Sequence, residues 1–380
     1  MAESGGPKVL LAVEQLRRSV PGGIGSYARG LLSGLDECAS HGEGEGTEIT
    51  LLASRNPHSG ADPLEHFGRR VIASPLPAPL LTRAWDRGWL RAPSGFDVVH
   101  SVSLAAPRLS RTGGGRAVVT VHDVAWRRHP EATTARGRKW HEAALRRVQD
   151  SDAALIVPSK FVAADLTDDG VDADRISIVY GGSDHLVPAD MALTAELLGR
   201  LGVQDGFLLT VSTLEPRKNV DRLLAAYRQL RGSLPEPWPL VIVGPTGWGP
   251  ALRDQEDTEG VVFAGSVSEA VLTGLYRSAR AFAYVPLTEG YGLPPLEAMR
   301  VGVPTVVANQ VPSVRDLDQP GPSAARIVDP FDVDSIATGL AAVLMDETVR
   351  ADLATRGEAY SRTRTWRAAA KSHIGLWRSL

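Results

Sequence analysis

Cysteine is nearly absent: Cys38 is the one cysteine in 380 residues. That excludes an intrachain disulfide and a cysteine-built metal cluster, and it points to a reducing compartment. Long apolar runs are lacking too, since no stretch approaches the roughly 20 residues that a bilayer span needs. The short run at 9–13 stops at Glu14 and reads as a first core strand rather than a leader. Neither charge dominates: 41 Lys and Arg stand against 44 Asp and Glu, with a net charge of −3 and a pI near 6.3. Nucleic acid is thereby excluded as the main partner, and any anion must be recognised locally. Gly-x-Ser-x-Gly and Walker-type loops are missing. The aspartate pairs Asp150/Asp152, Asp172/Asp174, Asp316/Asp318 and Asp332/Asp334 stand before strands, at helix starts or in polar loops. Aspartates there cap and solvate, so no metal site and no cofactor are expected.

What is present is one grammar used twice. A hydrophobic content of 43% over this length supports two α/β domains, each with its own core. Short apolar runs that end in polar residues or glycine occur at 8–13, 49–53, 97–101, 117–121, 153–157 and 176–179. The habit returns at 207–211, 240–243, 261–264, 281–285, 304–308 and 326–328, with helical stretches between. Strands this continuously apolar belong to parallel sheets covered on both faces. The expected division is 1–187 and 188–360, with a terminal helix in 361–380 packing back on the first domain. The glycine-rich run at 42–46 reads as a flexible surface loop.

The most informative junction is Thr288-Glu289-Gly290-Tyr291-Gly292-Leu293-Pro294-Pro295-Leu296-Glu297, which follows the strand at 281–285. The proline pair suits a helix's first turn, which places Glu289 in a strand-to-helix loop and Glu297 in or near that turn. Two lone glutamates would ordinarily be solvated loop and helix-stabilising charges. The glycines between them, which allow a close anion, and their strand-end position favour a ligand. Carboxylates accept from sugar hydroxyls, so a sugar joined to a phosphate fits both halves. A second strand-end loop, Val211-Ser212-Thr213-Leu214-Glu215-Pro216-Arg217-Lys218-Asn219, sets two cations before a helix that Asn219 should cap. Arg217 offers a planar fork and Lys218 a point charge, a pairing suited to a diphosphate.

Three weaker features lie in the first half. Gly22, Gly23 and Gly25 precede a helix expected from Tyr27 to about Cys38, as a loop that lets a ligand approach the backbone or as a plain flexible turn. His122 and Asp123 end the strand at 117–121, where His122 could bond a sugar hydroxyl and Asp123 orient it or an acceptor. Arg136, Lys139, Arg146 and Arg147 share one helical face opposite Trp140, Ala144, Leu145 and Val148. That face would serve an acceptor carried on a lipid, through peripheral contact with anionic headgroups.

These residues, in this order, resemble the family 4 retaining glycosyltransferases of the GT-B fold over nearly the whole chain. Concordant marks are Gly244-Pro245-Thr246-Gly247-Trp248-Gly249 and Ala264-Gly265-Ser266-Val267. Val179-Tyr180-Gly181-Gly182-Ser183-Asp184 departs from the family, many members of which read closer to Asn-Gly-Val-Asp there. The resemblance implies two Rossmann-like domains with parallel sheets facing across a cleft. It implies Arg217 and Lys218 on the donor diphosphate and Glu297 on the ribose. Glu289 and the backbone of Gly290, Tyr291, Gly292 and Leu293 would hold the transferred sugar, with Val267 beside the base. His122 would meet the donor sugar near its reacting face, and the Gly22, Gly23 and Gly25 loop would line the cleft. The function expected is metal-independent, retaining transfer of a hexose, mannose favoured, from a nucleoside diphosphate sugar such as GDP-mannose to a carbohydrate or lipid-linked acceptor. The expected location is cytoplasmic, peripheral at the inner membrane face. The alternatives are a sugar-nucleotide epimerase or hydrolase on the same fold, and a non-catalytic sugar-nucleotide-binding protein.

Overall fold

The computed structural model describes residues 5–18, 22–56, 62–112, 114–203, 206–235, 238–247, 259–315 and 322–380. Its contacts divide the chain into two units. Unit 1 comprises Met1–Val124, Thr134–His185 and Thr365–Leu380, and unit 2 comprises Ala125–Thr133 and Leu186–Arg364. The expected boundary at 187 thus falls at His185, and a short piece of the first half joins unit 2. The reason is local packing of Pro130–Ala132 against Pro216–Lys218.

Unit 1 holds β1 (Lys8–Ala12), β2 (Glu48–Ala53), β3 (Val71–Ala73), β4 (Val98–Ser101), β5 (Arg116–Thr120), β6 (Ala154–Val157) and β7 (Ile176–Ile178). They pair in parallel in the order β3-β2-β1-β4-β5-β6-β7. The chain runs outward from β1 to β3, then returns to the other side of β1, so the order reverses between β1 and β4. Unit 2 holds β8 (Leu208–Val211), β9 (Leu240–Val243), β10 (Val261–Gly265), β11 (Ala281–Tyr284), β12 (Thr305–Ala308) and β13 (Arg326–Val328). Their parallel order, β10-β9-β8-β11-β12-β13, reverses between β8 and β11. Crevices at the carboxyl ends of such paired strands are where open α/β sheets take ligands.

Buried runs such as Val9 to Ala12, Leu240 to Val243 and Ala281 to Tyr284 carry no polar alternation, because helices cover both faces of each sheet. β3 is absent from the sequence reading. It is three residues long, half exposed and at the sheet edge, so neither length nor burial marks it.

The C-terminal helix Trp366–Ser379 belongs to unit 1, where it packs along the helix Gly22–Ser40. Two glycines make that crossing close. A Cβ on Gly30 would fall 2.0 Å from the Trp366 ring, and one on Gly34 would fall 2.2 Å from the Trp366 carbonyl. The departing segment at 179–184 seats the start of this helix. A Cβ on Gly182 would lie 2.2 Å from the Trp366 amide, Asp184 accepts that amide at 2.8 Å, and the indole donates to His185 at 2.9 Å. The run at 42–46 is likewise anchored, because Glu43 pairs with Arg367 at 2.8 Å and with Lys371 at 3.0 Å.

Beneath the crossing lies a neutral polar cluster. The Nδ1–H of His373 donates to the Ala369 carbonyl at 2.8 Å, which leaves Nε2 to accept from the Tyr27 hydroxyl at 2.8 Å. His100 stacks on His373 with ring centroids 5.5 Å apart, and its Nε2 pairs with the Thr120 hydroxyl at 2.9 Å. No carboxylate appears among these partners, and burial pushes the His373 imidazole down to about 4. Its neutral form therefore stabilises the fold fully above the unfolded value near 6.5, and that contribution fades as pH falls towards 4. Urea unfolding followed from neutral pH down to mild acid should show a loss of about 3 kcal/mol from this source. His373→Gln should flatten that slope; a slope unchanged in the variant would contradict the assignment.

Candidate functional site

The loops that follow β8 and β11 flank the point where the strand order reverses in unit 2. Backbone and side chains lock them together. The Leu287 amide donates to the Arg217 carbonyl at 2.9 Å, and the Asn219 amide nitrogen donates to the carbonyls of Val285 at 2.9 Å and Pro330 at 2.8 Å. Asn219 stands before the helix Val220–Arg231, yet its side chain makes no capping bond. Its backbone is left-handed at φ 59°, a conformation asparagine tolerates, and that turns the amide inward to tie three strand ends. The capping expectation is therefore replaced by a bracing role.

This brace brings Arg217, Lys218 and Glu289 together. One Glu289 oxygen accepts from Lys218 Nζ at 2.5 Å and lies 3.1 Å from Arg217 Nη1. The Tyr284 hydroxyl accepts from Lys218 at 3.0 Å and donates to the same Glu289 oxygen at 2.9 Å. Glu215 holds the second arm of Arg217 at 2.9 Å, and the Thr288 carbonyl accepts from its first at 3.2 Å. Burial alone would raise the Glu289 carboxyl. The charges of Arg217 and Lys218, with hydrogen bonds from Lys218 and Tyr284, outweigh it and hold the group down at about 2. Burial and then the Glu289 charge push the Tyr284 phenol well above its ordinary range.

Glu297 sits one residue deeper in its helix than expected, just past the first turn. The helix spans Leu293–Arg300, beginning one residue before the prolines, because Gly292 enters it at φ 97°. Its first turn has no acidic residue, so the helix-dipole argument for Glu297 lapses. Instead the buried carboxylate accepts from the Tyr276 hydroxyl at 2.8 Å, and burial and then Glu297 push that phenol well up. Phe282 lies between the two tyrosines, 5.6 Å from the Tyr276 ring and 6.2 Å from that of Tyr284. Each acidic residue is thus held by a buried tyrosine, with one aromatic ladder behind both.

Gly290, Tyr291 and Gly292 are buried, while Leu293 is half-buried. Ser313 pins the turn, its amide donating to the Tyr291 carbonyl at 2.9 Å and its hydroxyl to that of Gly292 at 2.6 Å. Val267 is half-buried between β10 and the helix Glu269–Ser278. Gly244 and Gly247 back onto the carbonyls of Ser212 and Leu214, where a Cβ would fall 2.1 and 2.2 Å away. Trp248, Gly249, Asp316 and Asp318 lie outside the described residues.

In unit 1, Gly22, Gly23 and Gly25 are not a loop before the helix but its first turn, since the helix spans Gly22–Ser40. Gly22 supplies the left-handed entry at φ 60° that starts it five residues early. Gly22 and Gly23 are exposed, and Gly25 is buried. His122 follows β5 half-buried, with Nε2 2.8 Å from the Val102 carbonyl and its ring edge-on to Tyr27 at 4.8 Å. A carbonyl only accepts, so the proton sits on Nε2, and Nδ1 is the atom that could take a hydroxyl's proton. Burial lowers His122, against the opposing influence of the Val102 bond and Asp123, and keeps it neutral. Asp123 stands half-buried beside it.

Sequence reasoning missed Tyr276, Tyr284 and Glu215. The tyrosines read as core aromatics within apolar stretches, and only the fold turns their hydroxyls to the acids. Among the described residues there is no group of three or more His, Cys, Asp or Glu that could hold a metal ion.

Residues 200–360 match the model for glycosyl transferases group 1, and residues 21–185 match that for glycosyltransferase family 4. O-antigen chain mannosyltransferase B of Escherichia coli is 31% identical over 273 residues, which cover 70% of this chain and 71% of that protein. The GDP-mannose-dependent alpha-(1-6)-phosphatidylinositol monomannoside mannosyltransferase of Mycolicibacterium smegmatis is 29% identical over 284 residues, 69% of each chain. The crystal structure of Anabaena HepE in complex with UDP and glucose superposes with a TM-score of 0.71 at 18% identity, covering 98% of this chain and 100% of that one. The shared architecture is the GT-B fold.

The bracing geometry sets a stability order. Asn219→Ala strips the donor from two carbonyls and should cost about 2–4 kcal/mol in urea unfolding. Tyr284→Phe removes one hydroxyl between Lys218 and Glu289 and should cost about 1–2 kcal/mol. The reverse order would contradict the bracing role of Asn219.

Proposed function

This chain belongs to the family 4 glycosyltransferases, and from that membership we propose that it moves mannose from GDP-mannose to a glycan or lipid-linked acceptor with retention at the anomeric carbon. The observation that carries the reading is the meeting of half-buried Arg217 and Lys218 with buried Glu289 at the strand-order reversal of unit 2. Mannose and the guanine base are supported by what the E. coli and mycobacterial relatives are named for. HepE, bound to UDP and glucose, shares only the fold.

Breaking the C1–O bond of a sugar nucleotide throws negative charge onto the diphosphate and positive charge onto the ring. In this reading Arg217 and Lys218 turn from Glu289 towards the diphosphate, each lowering the barrier by about 1.5–3 kcal/mol through charge-assisted hydrogen bonds in a water-poor site. Glu289, held ionised, accepts from hydroxyls of the transferred sugar, and Glu297 from those of the ribose. Gly290 to Leu293 present backbone to the same sugar, and Val267 borders the base. No carboxylate is assigned as a nucleophile. The acceptor attacks from the leaving-group face, and the departing phosphate oxygen takes its proton, so configuration is retained without a metal.

A lipid-linked acceptor would bring the enzyme to the cytoplasmic face of a membrane. No helix among the described residues is long and apolar enough to cross one. Of the expected basic face, Arg136, Lys139 and Arg146 are exposed. Arg147 is not available to it, because it is ion-paired with Asp86.

The test is a panel of radiolabelled sugar nucleotides, read by nucleoside diphosphate release with and without candidate acceptors. GDP-mannose should be turned over, and Arg217→Ala and Lys218→Ala should each slow it about ten- to a hundredfold. Unchanged turnover in both variants would end the site assignment. Donor conversion without acceptor would select an epimerase or hydrolase, and calorimetric binding without turnover a non-catalytic binder.

A further inference from the structure

In unit 1 the helix Ala78–Asp86 ends in a left-handed Gly88 at φ 66°, with the Gly88 amide bonded to the Trp85 carbonyl and the Trp89 amide to that of Ala84, both at 2.9 Å. That double bond pattern is a Schellman close, in which the residue in Trp89's place commonly packs its apolar side chain back onto the helix. Here it does not: Trp89 is 70% exposed on a fixed backbone. Leu80 is 52% exposed and Leu90 38%, so three large apolar side chains face water around one short helix. Leu81, Ala84 and Trp85 fill the inward side of the same helix, so the outward leucine and tryptophan are not serving the core.

The surroundings are cationic. Arg83 and Arg87 are exposed on this segment, with the Arg87 guanidinium 4.9 Å from the Trp89 ring centre. Asp86 then clamps a second basic element alongside, accepting from the Trp140 indole at 2.8 Å and from Arg147, both on the helix Ala135–Gln149. Arg136, Lys139 and Arg146 are exposed on that helix. Residues 83–91 and 135–149 together carry eight Arg and Lys against Asp86 and Glu142, in a chain whose net charge is −3.

We propose that Trp89, Leu80 and Leu90, with the cations of their own segment and of the helix that Asp86 clamps beside it, form a docking surface for an anionic lipid bilayer. Indole and leucine side chains settle at the headgroup boundary, while arginine and lysine meet negative headgroups. Asp86 has a structural part here. With one oxygen on Trp140 and the other on Arg147, it couples the apolar tip to the basic helix. A second copy of the chain fits less well, because a symmetric contact would set one cationic surface against another. The proposal rests on the lipid-linked branch of the functional reading for its purpose, but not for its physics.

The experiment is co-sedimentation of the whole protein with vesicles of phosphatidylcholine alone or mixed with phosphatidylglycerol. Binding is expected to the anionic vesicles only, and to weaken as salt rises. Trp89→Ser with Leu80→Ser should weaken it at least tenfold. Arg136→Gln, Lys139→Gln and Arg146→Gln should each weaken it about fivefold, as expected for a single cation at an anionic surface. All five positions are exposed, and thermal melting is compared with the parent protein. Wild-type protein left in the supernatant, or both sets of variants binding like the parent, would overturn the proposal. So would a dimer in sedimentation velocity that Trp89→Ser dissolves, since the surface would then belong to a second copy. GDP-mannose calorimetry on the same samples separates the two readings: vesicle binding without donor binding removes the donor assignment and leaves this surface standing.

Discussion

Glu289 is a carboxylate inside the protein, and an ionised group there is tolerated only when opposite charges and hydrogen-bond donors surround it. Its charged partners come from another strand end, Lys218 and Arg217 reaching it from the loop after β8, while Tyr284 stands at the end of its own strand, β11. Pairing them demands that the two loops hold one register. Asn219, bonded to Val285 and Pro330, and the Leu287 amide on the Arg217 carbonyl supply that register. Much of unit 2 can be understood as a scaffold for keeping this ion cluster closed.

The cluster also explains how binding could be selective. Arg217 and Lys218 are matched by Glu215 and Glu289, so the local charge is close to balanced before any ligand arrives. A ligand that only attracts cations has to compete with two carboxylates already in place. One that brings a phosphate for the cations and hydroxyls for the acids replaces both sets of partners together, which leaves no buried charge unmatched. The two tyrosines hold the acids in position without adding charge.

Unit 1 settles its interior differently. Tyr27, His100, Thr120 and His373 form a buried set of neutral groups under a helix crossing that Gly30 and Gly34 bring within contact of Trp366. Neutral imidazoles need no counter-ion, so this cluster asks only for hydrogen-bond partners. It binds the last segment of the chain to the first long helix, and with Glu43 to Arg367 and Asp184 to Trp366 it gives that helix three attachments.

Composition and periodicity by themselves determined the class of fold: apolar runs without alternation must be covered on both faces, and all twelve runs picked out in the sequence are strands of two parallel sheets. The loop motifs also marked Arg217, Lys218 and Glu289, because their shared position at strand ends, with glycines beside the acid, favours a ligand over solvated loop charges. Only the tertiary structure decided how these groups meet. Helix starts depended on left-handed glycines at 22 and 292, Asn219 turned inward because its backbone is left-handed, and Arg147 was claimed by Asp86 from 61 positions away. β3 and the tyrosine hydroxyls were hidden for the same reason. Local pattern reports which face of an element is apolar, whereas the direction of a polar atom is set by partners distant in sequence, whose positions exist only once the chain has folded.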